Sequence, residues 1–161
     1  MGDGIRTARR DELKEIGQLY HAVWRETQAS LQPASVAAYR DEAFFVARAR
    51  RFPTAPLVAL SQGRILGFAA WTGCRLGQLY VLPEGRSLGI GRALLERSEN
   101  AIRAGGFECA ELHCLVGNDS ARRFYERCGW RHTATLMEEA ETLNGPVEVA
   151  CWEMTKELVR A

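Results

Sequence analysis

The stretch Val81 to Leu95 reads V-L-P-E-G-R-S-L-G-I-G-R-A-L-L and constrains the chain more than any other. An apolar run ends at Pro83, a short glycine-containing turn follows, and an amphipathic helix begins at about Leu88. Arg86, Gly89 and Gly91 bracket the helix start with the spacing R-x-x-G-x-G. The first turn of a helix carries unpaired backbone N–H groups and a partial positive charge. Glycines there remove the side chains that would keep a phosphate from those groups, and Arg86 adds a charge-assisted contact from the rim. The pattern reads as a pyrophosphate cradle.

Other readings of these glycines make demands of their own. A P-loop needs Gly-Lys followed by Ser or Thr, whereas this chain has Gly91-Arg92-Ala93. A dinucleotide fold needs G-x-G-x-x-G near the first strand, but here the pair falls mid-chain and Leu94 takes the place of the third glycine. A purely structural role, in which Gly89 and Gly91 let a helix pack closely, stays open on the motif alone.

The rest of the chain supplies the frame. Ile5 to Ala8 reads as a short strand, and Leu13, Ile16, Leu19, Tyr20, Val23 and Trp24 recur at helical spacing. A second helix is expected over Ser35 to Arg50, ended before Pro53 and Pro56. Strands are expected at Leu57 to Leu60, Ile65 to Thr72 and Leu76 to Leu82, the first two joined by a Gln62-Gly63 turn. A helix from Leu88 to about Ala104 stops at Gly105-Gly106. Phe107 to Val116 is a strand, Asn118 to Arg127 a short helix, and Trp130 to Met137 and Val147 to Met154 a closing antiparallel pair. This order describes an α+β fold with a mixed sheet and one strand–helix–strand crossover at its centre. With no linker or repeat, residues 1–161 read as one domain.

Charge and composition exclude several function classes. The formal net charge is +1, so no global field draws the chain to nucleic acid or an anionic membrane. No apolar run approaches the roughly 18 residues of a membrane span, and no leader-like apolar segment opens the sequence, which points to the cytoplasm. Five cysteines without a C-x-x-C pair argue against a zinc site or disulfide framework, and Cys109 and Cys114 read as buried free thiols. No metal is expected.

A second segment, Leu112 to Trp130, reads L-H-C-L-V-G-N-D-S-A-R-R-F-Y-E-R-C-G-W. With the cradle, it resembles the GCN5-related N-acetyltransferase (GNAT) superfamily. V-x-P-x-x-R-x-x-G-x-G is similar to that family's acetyl-CoA pyrophosphate motif, and N-x-x-A-x-x-F-Y-E-R-x-G-W to its second cofactor segment. The resemblance implies a mostly antiparallel sheet of six to seven strands, flanked by about four helices and splayed at its central strands. It implies that Leu79, Tyr80 and Val81 pair with pantetheine and hold the acetyl carbonyl. The segment Arg86, Ser87, Leu88, Gly89, Ile90, Gly91 and Arg92 would hold the pyrophosphate, and Asn118 the pantetheine arm. Tyr125 would point its hydroxyl at the cofactor sulfur. The chain departs locally from the pattern at Gly85, often aromatic in the family, at Ser87, often glycine, and at Leu88, often polar.

The implied activity is acetyl transfer from acetyl-CoA to a primary amine of a small molecule, peptide or protein, with a homodimer among the allowed assemblies. The alternative is a noncatalytic acyl-CoA-binding module. An alkyl thiol titrates near 8.5 and a phenol near 10, so Tyr125 can donate a proton to a leaving thiolate without prior ionisation. A core aromatic beside Phe124 is its structural alternative. For the general base, Glu111, His113 and Glu84 are candidates, and a water chain could replace any of them. His113 and Glu111 share one strand face by alternation. Trp24, Arg25, Glu26, Tyr39 and the acidic run from Glu138 to Glu141 are candidates to line the acceptor site, though a charge run is usually a solvated face.

Overall fold

The computed structural model describes residues 4–159. The strands are β1 (Gly4–Thr7), β2 (Leu57–Ser61), β3 (Arg64–Thr72), β4 (Arg75–Val81), β5 (Cys109–Leu115), β6 (Arg131–Ala140) and β7 (Val147–Glu157). They form one sheet in the order β1-β2-β3-β4-β5-β7-β6, antiparallel except where β4 runs parallel to β5. The helices are α1 (Leu13–Thr27), α2 (Ala34–Tyr39), α3 (Glu42–Arg50), α4 (Pro83–Arg86), α5 (Ile90–Ala104) and α6 (Asp119–Arg127), with short 3-10 turns at Arg10–Glu12 and Ala29–Leu31. That is a mixed, mostly antiparallel α+β sheet of seven strands, with more helices than the expected four.

Two cores divide the sheet faces. On one, α1 and α3 pack Tyr20, Trp24 and Phe45 against Val58, Phe68 and Ala140. On the other, Leu94, Leu95 and Ile102 of α5 pack against Leu76, Val81, Leu112 and Met154. Helices α1 and α3 meet at Gly17, where an added Cβ would stand 2.5 Å from Val46 Cα.

Three local expectations are corrected. The helix read over Ser35 to Arg50 is two helices. Arg40 leaves helical geometry (ψ 73°), and the Asp41 carboxylate then caps α3 by accepting from the Phe44 N–H at 2.9 Å. The helix read from Leu88 begins at Ile90, because Gly89 adopts φ +75°, and Pro83 first opens the separate turn α4. Cys109 is exposed at the start of β5; Cys114 is buried as expected. Strand β6 also continues through Glu138 and Glu139 to Ala140, so part of the acidic run is strand.

The sheet opens at its centre. Strands β4 and β5 pair only at Arg75↔Glu111 and Leu76↔Leu112. Trp71 opposes Leu76 and Ala70 opposes Gln78, which leaves Gly77 as a bulge on β4. Beyond it the two strands part.

Candidate active site

The gap between the parted strands is the mouth of a cleft of about 420 Å³. Leu79, Tyr80 and Val81 line it from β4, Leu112 to Leu115 from β5, and Val23, Thr27 and Gln28 from the end of α1. Arg86, Gly89, Gly91 and Arg92 line one end, and Asn118, Phe124 and Tyr125 close the side nearest α6.

The glycine end has the backbone chemistry of an anion site. The Ala93 N–H bonds to the Gly89 carbonyl at 3.1 Å, so the N–H groups of Ile90, Gly91 and Arg92 precede the first bond of the helix ladder. Gly89, in the left-handed region, leaves open space where a Cβ would stand, and a Cβ at Gly91 would make only ordinary contact with Phe124 at 3.5 Å. The residues therefore fit a diphosphate. Gly85 has a different reason to be glycine: its Cβ would crowd Val81, Ile90 and Leu66 at 3.0, 3.2 and 3.3 Å. The aromatic that the family often carries at this position has no room here.

Arg86 faces two ways. Its Nε donates to the Val81 carbonyl at 3.2 Å, and its Nη atoms grip the Glu26 carboxylate at 3.1 and 2.6 Å. Glu26 is thus held at the glycine end of the cleft without lining it. Ser87, Leu88 and Ile90 do not line the cleft; Leu88 is exposed, and with Ile90 it borders a shallow hollow on the far side of α5.

At the inner end, Asn118 precedes α6, and its side chain makes no capping bond to that helix. Tyr125 packs edge-on against Phe124 and Trp130, at 5.3 and 6.1 Å between centroids. Burial, then the neighbouring Cys114 and Cys128, holds its phenol protonated above the usual range. Among the described residues nothing hydrogen-bonds its hydroxyl. Burial also pushes the Cys114 thiol up to about 11, which keeps it neutral.

The base candidates separate. His113 lines the cleft; its Nδ1 contacts the Glu138 carboxylate, and its Nε2, 3.8 Å from Glu153 Oε2, is buried without a hydrogen-bond partner. Glu111 lies outside the lining and is ion-paired with Arg75 at 3.2 Å. Glu84 pairs with Arg64 at 3.5 Å on the surface. Donor atoms of Glu111, His113 and Glu153 lie within 4.8 Å of one another, but each has another partner: Arg75, Glu138 and Thr133. Glu138 was legible as a partner only through the alternation Ala134, Leu136, Glu138, Ala140 on one face of β6.

Neither expected acceptor contact lines the cleft. Trp24 is 1% exposed, packed on Phe45 at 5.3 Å, and Tyr39 packs edge-on against Phe44 at 5.6 Å.

Residues 16–130 match the acetyltransferase (GNAT) family. The chain belongs to that family. A curated relative, the uncharacterized N-acetyltransferase MJ1530 of Methanocaldococcus jannaschii, is 36% identical over 90 residues. That match covers 53% of this chain and 58% of the relative, so the chain spans little more than half the length of that protein. The fold is similar to a GCN5-related N-acetyltransferase structure from Rhodopseudomonas palustris (TM-score 0.74, 22% identity, 98% and 97% of the two chains). It is also similar to yncA, a putative acetyltransferase of Salmonella typhimurium solved with acetyl-CoA (TM-score 0.69, 20% identity, 98% and 95%). Among the described residues no helix is long and apolar enough to cross a membrane.

Proposed function

We propose that this GNAT chain is an acetyl-CoA-dependent N-acetyltransferase that acts on a primary amine of a small molecule, peptide or protein by direct attack. The observation that carries the reading is the single cleft in which the α5 N–H groups, Asn118 and an unpartnered, protonated Tyr125 phenol all face the parted strands. Acetyl-CoA supplies a thioester whose acyl carbon accepts the amine and whose sulfur leaves. Backbone N–H groups of Ile90 to Arg92 hold the diphosphate, the β4 backbone from Leu79 to Val81 orients the pantetheine and the acyl oxygen, and Asn118 bonds the pantetheine amides. Tyr125 donates its proton to the departing sulfur, a role suited to a phenol that stays protonated.

His113 takes the amine proton on Nε2. Its Nδ1–H is directed at Glu138, which fixes the tautomer and leaves Nε2 as the lone-pair nitrogen. Glu138 is thus a positioning residue, in the logic by which a carboxylate hydrogen-bonded to one ring nitrogen orients a catalytic imidazole.

The test is release of free CoA thiol in the presence of acetyl-CoA and a panel of primary amines, with the acetylated amine identified by mass. Transfer to at least one amine supports the reading. Stabilisation by acetyl-CoA with no transfer to any of them refutes it in favour of a noncatalytic acyl-CoA-binding module.

A further inference from the structure

On the sheet face that carries Tyr80 and His113, two arginines stand without a carboxylate among the described residues. Arg40 follows α2, with its guanidinium 5.4 Å from the Trp24 ring centroid and 5.3 Å from that of Phe44. Arg48 of α3 lies 5.1 Å from the Phe44 ring and donates to the Tyr20 hydroxyl at 3.5 Å. Among the described residues neither forms an ion pair. Arg40 Nε is buried with no hydrogen-bond acceptor, and so is Nε1 of Trp24, the ring that Arg40 covers. Two unmet buried donors in contact are unusual, because burying a donor without an acceptor is costly. Burial and then the neighbouring Arg48 weaken Arg40's hold on its proton; only Tyr20, Tyr80 and Cys151 oppose this. An anionic partner would answer all of these at once.

Neither arginine lines the cleft, but Tyr80, a charge neighbour of Arg40, connects the pair to it. Tyr80 lines the cleft, packs against Tyr20 in a tilted arrangement at 4.6 Å between ring centroids and accepts from Gln28 at 3.0 Å. Beyond Tyr80, Cys151 donates to Glu138 at 3.6 Å, and Glu138 meets His113. The same face is therefore cationic at Arg40 and Arg48 and anionic at Glu138 and Glu153. A ligand complementary to both ends is a zwitterion.

We propose that Arg40 and the Trp24 indole bind a carboxylate, and that the acetyl acceptor is a small amino-acid-like molecule bearing both that carboxylate and the amine. The inference rests on the cleft being a transfer site. A guanidinium presenting its Nε–H edge matches a planar two-oxygen group. Glu138 and Glu153 draw the ammonium end towards His113, where it loses its proton.

The experiment measures CoA release with a set of amino acids, each beside its carboxamide and its decarboxylated amine, and with phosphoethanolamine. For the best amino acid, kcat/KM should exceed that of the matched carboxamide at least tenfold, chiefly through KM. Arg40→Gln should bring acid and carboxamide within about twofold of each other, and Arg40→Lys should keep part of the preference. Thermal unfolding and acetyl-CoA affinity establish that the variants are folded; should Arg40→Gln fail to fold, the wild-type preference and the Arg40→Lys variant decide. Absence of a carboxylate preference in the wild type, a faster reaction with phosphoethanolamine than with every carboxylate, or a preference that survives Arg40→Gln would each overturn the inference while leaving amine acetylation standing. Absence of CoA release with every amine would overturn the transfer reading beneath it.

Discussion

Arg86 must leave Glu26 before it can touch a phosphate, and that competition has a measurable size. The two side chains form a bidentate pair at 3.1 and 2.6 Å at the glycine end of the cleft and are 42% and 43% exposed. The hydrogen bond from Arg86 holds the Glu26 carboxyl below its ordinary pKa, so Glu26 is ionised throughout the neutral range. An ion pair this exposed is worth about 0.2–1 kcal/mol. Glu26→Gln removes the competitor, so acetyl-CoA should bind about 1.4- to 5-fold more tightly. Arg86→Ala loses a charge-assisted contact of about 1.5 kcal/mol, the low end because the rim is exposed, and should weaken binding about tenfold. Isothermal titration of acetyl-CoA into the single and double variants at low and high salt measures both effects. The Glu26→Gln gain should shrink at high salt and vanish in the Arg86→Ala background. A gain equally large without Arg86 would trace to the overall charge at that end and refute the competition; weaker binding by Glu26→Gln would refute it outright.

Tyr125→Phe should keep acetyl-CoA affinity and lower kcat at least about tenfold where chemistry limits the rate, since general acid catalysis contributes about 10²–10⁴-fold; an unchanged chemical step in single-turnover assays would assign the proton to water. Gly91→Glu should abolish acetyl-CoA binding without lowering Tm, because a carboxylate in the first turn suits the helix while it occupies the phosphate position. The activity rise from about pH 6 to above pH 8 should lose an inflection in His113→Ala if the imidazole, flanked by Glu138, Glu153 and Glu111, is the base; an inflection that instead follows the acceptor's own amine pKa across several substrates would assign it to the substrate. Hydrogen bonds from Arg6 and the Arg9 N–H hold the Glu12 carboxyl down to about 2. The stability this contributes is complete above the unfolded carboxylate range and is lost as pH falls from about 4.5 towards 2. Discounted for the half-exposed Arg6, it is about 1–2 kcal/mol, so denaturant titrations of wild type and Glu12→Gln should converge near pH 2, and a constant gap down to that pH would refute the assignment.

The glycine end of the candidate site was legible in the sequence because its chemistry is carried by neighbouring residues. A strand end, a glycine turn and a helix start lie within fifteen residues, and unpaired N–H groups follow from helix geometry alone. Where that end was misread, the signals were local too. Gly89 marks the true start of α5 and Pro83 opens α4; on the other sheet face Asp41 caps α3, so a continuous apolar face across Arg40 does not make one helix. The proposed acceptor side is different in kind. Its pieces come from α1, α2, α3, β4, β5, β6 and β7, and they meet only because β7 inserts between β5 and β6. Glu138 reaches His113 across that strand, and a slip of one residue in the β6–β7 register would turn it to the other face. Arg40 is harder still. Its significance is that among the described residues no carboxylate meets it and that it covers Trp24, sixteen positions away on α1. An unmet donor is a property of the folded packing and leaves no periodicity, so the half of the site proposed to select the acceptor could be found only once the chain was folded.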